Sequence, residues 1–260
     1  MARASGPGWP SPRRPKGPAG APPRRVLNQQ AIVDAALEIV DEEGLDALSM
    51  RRVAQRLGTG PASLYAHISG KEELLELLLN QVYGELALPG APDPARWREQ
   101  AKALLTASRD NLAGHGDLAR AALRGGSVTL PNALRVTEAM LGILRAGGVE
   151  RQEAAYAMDL LALYTVADAV ERALGLRGSA DGGPSPATAV NAEGDETNEE
   201  YRERVRDYYA SLPAERYPIL RTMADPMVRN VGDERFQFGL DVILGGLASR
   251  AAVRGRRDGD

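Results

Sequence analysis

The sequence predicts an all-α protein: a three-helix unit near the N-terminus, then a larger helical unit. Three observations carry this. Alanine, leucine and arginine are abundant while aromatic residues make up 5% of the 260, a balance that favours helices over sheets. Apolar residues recur at helical spacing in successive segments. Glycine and proline fall between those segments, where they stop one helix and start the next.

Residues 1–24 are rich in proline, glycine and arginine and lack apolar periodicity, so they read as a disordered arm. The first helix starts at Asn28 as N-cap, buries Ile32, Val33, Ala36, Leu37 and Val40, and ends at Gly44. Asp41, Glu42 and Glu43 form a solvated face, and Leu45 and Leu48 cross under the next helix. Ser49 caps a second helix that buries Val53, Ala54 and Leu57. Gly58 stops it in a left-handed conformation. Gly60-Pro61 opens a third helix over 61–68, with proline in the first turn. Ser69 and Glu72 have the spacing of a capping box, so a fourth helix spans 70–86. Its apolar arc, Leu74 to Val82, is too broad for one partner and should link two units.

Pro89 to Pro94 marks a junction. Beyond it, helices are predicted over 95–113, 117–123, 131–146 and 150–175, the last two separated by Gly147-Gly148. Residues 178–198 have no apolar face and read as a mobile loop. A charged helix over 199–211, a short one over 217–224 and a final helix over 234–253 complete the larger unit, residues 94–254. The last has apolar residues all round and should be buried on most sides.

The pair of helices over 49–68 suggests a purpose. At 100° per residue, Leu64 and Ile68 point inward while Ala62 and Ala66 stack on the far side, edged by Ser63 and Tyr65. A low face edged by hydroxyls suits a helix that enters a major groove. Arg51, Arg52, Arg56 and Lys71 surround it with positive charge. The bland alternative is an ordinary αα-hairpin. Net charge is −3, but residues 1–25 carry +6 and no acid, which leaves −9 on the rest (−3 less +6). A basic arm on an acidic body fits docking on DNA by one end. The arm either contacts phosphates or a minor groove, or is a solvated extension.

Ala35-Ala36-Leu37, Gly44, Arg51-Arg52-Val53-Ala54, Leu57-Gly58, Ser63-Leu64-Tyr65-Ala66-His67 and Lys71-Glu72-Glu73-Leu74-Leu75 resemble the TetR/AcrR family of bacterial transcription regulators over residues 25–86. A weaker resemblance to the ligand-binding half of repressors close to the tetracycline repressor runs to the C-terminus. The resemblance implies a homodimer, paired through the helices over 150–175 and 234–253 as a four-helix bundle, on a (pseudo)palindromic double-stranded operator. Gly239, Gly245 and Gly246 fit close helix approach there. Position and resemblance together nominate Arg51, Thr59, Gly60, Pro61, Ala62, Ser63, Tyr65, Ala66, His67 and Lys71 for DNA contact.

The tetracycline repressor holds a drug–magnesium complex with an amide, an aromatic and two histidines. Aligned through Trp97, those positions are Leu104, Ser108, Ala87 and Ala122, which ligate magnesium poorly. The expectation is therefore a largely apolar small-molecule effector, with no metal and no cofactor, in a pocket drawn from Leu104, Ser108, Leu112, Thr137, Met140, Tyr156, Leu161, Tyr164 and Asp168. The loop over 178–198 could cover it.

Enzyme chemistry has little support. The two histidines, His67 and His115, fall in different units, there is no cysteine, and no phosphate loop or GxGxxG is found. Asp159, Asp168 and Glu171 could form a site, but solvated or interface positions suit them better. His115 should cap a helix. No run of about 18 apolar residues and no signal-peptide core is seen, so a cytoplasmic protein is expected. The runner-up is a helical small-molecule-binding protein or enzyme with a vestigial helix–turn–helix.

Overall fold

A computed structural model describes residues 27–115, 118–123, 129–173, 198–229 and 233–257. All regular structure among them is helical. The basic arm and nearly all of the 178–198 loop lie outside the described residues.

Local signals set the N-terminal helices. Helix α1 spans Gln29–Glu43, and the Asn28 side chain accepts from the Ala31 N–H at 2.8 Å. Gly44 ends it at φ 84°, and a 3₁₀ turn over Leu45–Ala47 follows. Ser49 Oγ accepts from the Arg52 N–H at 3.1 Å and starts α2, Met50–Arg56. Gly58 has φ 64° with open space around it, so the backbone conformation alone calls for glycine there. Helix α3 is one turn, Pro61–Leu64, shorter than the expected 61–68. Ile68 N–H still closes onto the Leu64 carbonyl at 3.0 Å, so its last turn is loosened before Ser69-Gly70 and not lost.

Helix α4 spans Lys71–Glu85. Its entry differs from the expected Ser69–Glu72 box. Gly70 is the N-cap, and the Glu73 carboxylate accepts from both the N–H and the hydroxyl of Ser69, each at 2.6 Å. Those bonds hold the Glu73 carboxyl below its ordinary pKa.

Helices α5 (Trp97–Gly114), α6 (Leu118–Ala122), α7 (Pro131–Ala146) and α8 (Arg151–Ala173) follow. The short segment expected as one helix over 217–224 is two, α10 (Pro218–Thr222) and α11 (Ala224–Val228), broken at Met223. They pack on each other and on α9, Asn198–Ser211. Helix α12 spans Glu234–Arg257.

Two apolar cores result. The first joins α1–α4, and Leu112 of α5, Leu118 and Ala119 of α6, and Ala169 of α8 enter it too. The second is built on Trp97, Leu105, Met140, Leu144, Leu161, Phe236 and Leu240. Helix α4 packs against α1 on one side and α5, α6 and α7 on the other, which is why its apolar arc is so broad.

The last helix departs from expectation twice. Phe236, Leu240 and Leu244 are buried, but Phe238 is 69% and Val242 57% exposed, so one face is open in a single chain. By length and composition it could also cross a membrane, with a mean hydropathy of 1.2 over its most apolar window, although no such run was expected. Its inward face instead fills the second core, and its flanks pair Asp241 with Lys102 and Arg250 with Glu153. Gly239 does permit a close approach, but within the chain: a Cβ there would lie 2.1 Å from the Tyr164 hydroxyl.

Candidate nucleic-acid interface and ligand cavity

Helix α3 turns its apolar side, Leu64 and Ile68, wholly inward. That burial leaves Pro61, Ala62, Ser63, Tyr65, Ala66 and His67 exposed, with Gly60 and Arg51 exposed and Thr59 half-buried before them. The exposed side of α3 therefore offers small side chains, hydroxyls and one imidazole.

The cations beside it are not equivalent. Arg52 grips Glu43 in a two-pronged pair, Nε–Oε2 at 3.0 Å and Nη2–Oε1 at 2.5 Å. Arg56 reaches Glu42 at 2.6 Å, Glu43 at 3.1 Å and Glu38 at 3.4 Å. Hydrogen bonding from Arg56 holds the Glu42 carboxyl low, that from Arg52 does the same to Glu43, and the Arg56 pKa rises in return. The expectation that both arginines surround α3 with charge is thus corrected: the acidic end of α1 neutralises them. Lys71 is exposed, but its ammonium donates to the Leu48 carbonyl at 2.7 Å, which fixes the start of α4 against the α1–α2 turn. Two of its three protons remain for another acceptor. Arg51 has no acidic partner among the described residues.

A cavity of about 150 Å³ lies among α4, α5, α7 and α8. Leu104, Ser108, Leu112, Thr137, Met140 and Leu161 line it. So do Tyr83, Met158, Ala162 and Val166, which sequence reasoning missed. Tyr83 was missed because it belongs to α4, and only the packing of α7 on α4 brings it to the wall. Three expected residues lie elsewhere. Tyr156 is about 140° round α8 from Leu161 and is 65% exposed. Tyr164 stacks on Phe236 at 5.3 Å, and its hydroxyl donates to the Arg235 carbonyl at 3.0 Å. Asp168 is buried against Arg109, 3.7 Å away.

That arginine was not anticipated. Arg109 is 1% exposed, lies 4.3 Å over the Phe236 ring, and reaches Asp110 at 2.7 Å and Asp233 at 3.2 Å. Asp233 also takes Arg172 at 2.6 Å. Beside this cluster Glu171 meets Arg235, yet burial outweighs the pairing and pushes its carboxyl up. Thirteen residues make the cavity wall, and none carries a charged side chain. Its polar groups are the hydroxyls of Tyr83, Ser108 and Thr137. Ser108 already donates to the Leu104 carbonyl at 2.8 Å, and burial raises the Tyr83 phenol's pKa, keeping it protonated.

The four positions of the drug–magnesium site do not fit that complex. Leu104 and Ser108 offer one engaged hydroxyl, Ala87 is exposed, and Ala122 packs against the first core. No hard cation would find its oxygen ligands there.

Residues 32–78 match the family described as bacterial regulatory proteins, tetR family, and residues 89–251 match the tetracyclin repressor-like C-terminal domain. The HTH-type transcriptional repressor DrrR1 of Streptomyces coeruleorubidus is 31% identical over 95% of this chain and 85% of its own. The class A tetracycline repressor protein of Escherichia coli is 28% identical over 90% and 98%. Among solved structures, ActR of Streptomyces coelicolor in complex with actinorhodin superposes with a TM-score of 0.74, at 38% identity over 87% of this chain and 99% of that one. The same protein has been solved with (S)-DNPA at a TM-score of 0.73.

Proposed function

Because the chain belongs to the TetR family of bacterial regulatory proteins, ligand-responsive DNA-binding regulators of transcription, we propose that it is a cytoplasmic repressor that holds its operator as a homodimer. A largely apolar small molecule in the cavity releases it. One observation carries the ligand reading. The cavity touches both cores, since Leu112 and Val166 belong to the first and Leu104 and Leu161 to the second, and α4 supplies Tyr83 to its wall. A molecule seated there presses directly on the helix that follows α3. If it binds better when α4 is tilted away from the DNA-fitting arrangement, it shifts the population away from DNA. A wall without charge favours an apolar buried part of the molecule, because an ion pressed against it would find no counter-charge.

The dimer is proposed through α8 and α12. Tyr156, Leu160 and Leu163 on α8 and Phe238 and Val242 on α12 are more than half exposed in one chain. Two such pairs suit a four-helix bundle and set two α3 helices against one duplex. Arg51 and Lys71 then meet phosphates, while Thr59, Gly60, Pro61, Ala62, Ser63, Tyr65, Ala66 and His67 face the groove. Without Asn, Gln or Arg on α3, readout rests on thymine-methyl contacts and DNA shape.

The test is anisotropy of a labelled fragment from upstream of the protein's own coding sequence, titrated with protein and then with actinorhodin or (S)-DNPA, with and without EDTA. The reading expects binding, and release that EDTA leaves unchanged. Release that requires a divalent ion would refute the metal-free cavity.

A further inference from the structure

The imidazole of His115 sits where three helices meet. It caps the C-terminal end of α5, its backbone N–H donating to the Leu112 carbonyl. Nδ1 lies 3.2 Å from Asp41 Oδ1 near the end of α1, and Nε2 lies 3.0 Å from Glu85 Oε2, at the last residue of α4. Asn111, one turn earlier on α5, donates to the same Glu85 oxygen at 3.1 Å. Both ring nitrogens face carboxylates. A neutral imidazole can donate from only one of them, and an imidazolium donates from both. The ring therefore bridges acids on two helices of the N-terminal unit from the end of the helix whose Leu104, Leu105, Ser108 and Leu112 line the cavity.

We propose that His115 is a positioning residue: it clasps α1 and α4 to the end of α5 and so fixes how the helix–turn–helix is held relative to the cavity. The proposal rests on the reading of α1–α4 as the DNA-binding unit, but the clasp itself needs no DNA and no ligand to be measured. Leu112 touches any occupant of the cavity and His115 lies one turn beyond it on the same helix, so a shift of this end of α5 is handed to both acids together. Asn111 repeats the tie from α5 to α4 at Glu85, but no neighbouring contact among the described residues repeats the tie to α1. Gln30, Asp34 and Gln81 join α1 to α4 within the N-terminal unit, and Arg135 and Asn132 join α4 to α7. His115 is the side chain among the described residues that ties α5 to α1 by hydrogen bond.

The chain has no cysteine, so a Gln55→Cys and Arg98→Cys pair, exposed on α2 and α5, takes two spin labels without background. Labelled protein is diluted into an excess of unlabelled protein, so the distance read lies within one chain. The full-length protein should give one narrow distance. His115→Ala should lose it to a broad distribution, with helix content unchanged because the residue is partly exposed and terminal. Asp41→Ala, which keeps the ring but removes its acceptor on α1, should broaden it too, and the double variant should be no broader than either alone. A residue that merely stabilised the fold would instead lower the thermal midpoint and leave the distance narrow. A narrow distance in both single variants, or additive broadening in the double, overturns the clasp. Binding to the upstream fragment is read on the same samples: wild-type protein that fails to bind it refutes the DNA-binding reading, while the distances still decide the clasp.

Discussion

Asn132 folds over Asn80 by two hydrogen bonds: its backbone N–H donates to Asn80 Oδ1 and its side-chain amide donates to the Asn80 carbonyl, both at 2.9 Å. The first turn of α7 is thereby pinned to α4. Three residues on, Arg135 donates to the carbonyls of Tyr83, Gly84 and Leu86, satisfying the frayed end of α4. Helix α7 carries Ala133, Val136, Thr137 and Met140 of the cavity wall, so wall and linking helix move together.

This pairing predicts that Asn132→Ala lowers stability by about 1–2 kcal/mol, since the part-buried Asn80 carbonyl loses its side-chain partner while the backbone bond to Asn80 Oδ1 remains. Gly84→Ala should also destabilise, because a Cβ there would lie 2.7 Å from Asn132 Nδ2. The amide can swing aside only by giving up its bond to Asn80. Urea unfolding of the two variants and the double measures this. Equal midpoints to wild type would show that the α4–α7 junction does not depend on the pair.

Arg109 should be among the least replaceable polar residues. Arg109→Met keeps volume but leaves Asp168 buried without its cation, a loss of about 3–5 kcal/mol for a broken buried pair. Replacing both, Arg109→Met with Asp168→Leu, should recover most of it. Denaturant titration distinguishes the cases, and a double variant as unstable as the single would mean that the cation holds Asp233 and Phe236 more than Asp168.

Acid should weaken the N-terminal unit. The carboxyls of Glu42, Glu43 and Glu73 have folded pKa values held below the ordinary 4.5, by Arg56, Arg52 and Ser69 respectively. A depressed carboxyl contributes stability that is present above 4.5 and is lost as pH falls through its folded value. Melting temperature followed downward from pH 5 should fall, and the fall should be shallower in Glu73→Gln. All three groups are exposed, so the slope is modest. A melting temperature flat across that range would contradict these assignments.

Arg51→Ala should weaken binding to specific and unrelated duplexes alike and reduce the slope of log K against log salt by about 0.9, as one lost phosphate contact does. Arg52→Ala should leave that slope nearly unchanged, because Glu43 already holds the guanidinium. A larger slope change for Arg52 than for Arg51 would reverse the division drawn between them.

That division also marks what sequence could and could not tell. Signals carried by neighbours along the chain were legible: the caps at Asn28 and Ser49, the left-handed Gly58, the proline starts of α3 and α7, and the inward Leu64 and Ile68. Choices of partner across the chain were not. Nothing in the spacing of Arg52 and Arg56 says that they turn to the end of α1 and away from α3. Nothing near Asp168 announces Arg109, and the same buried arginine removes Asp168 from the cavity. Tyr156 and Leu161 share a helix, but the face of α8 that packs inward depends on α5 and α7. The entry of α6 into the first core was equally hidden, because its five residues are too few to show a stripe.

The most direct test of the whole account is the stoichiometry of the protein on its upstream fragment, read by sedimentation of the complex at low salt. The account predicts chains in pairs on each duplex, and loss of the complex in Ala62→Glu and Ala66→Glu, which add charge and bulk to the exposed side of α3 without touching Leu64 or Ile68. An odd number of chains per duplex, or full binding by both glutamate variants, would contradict it.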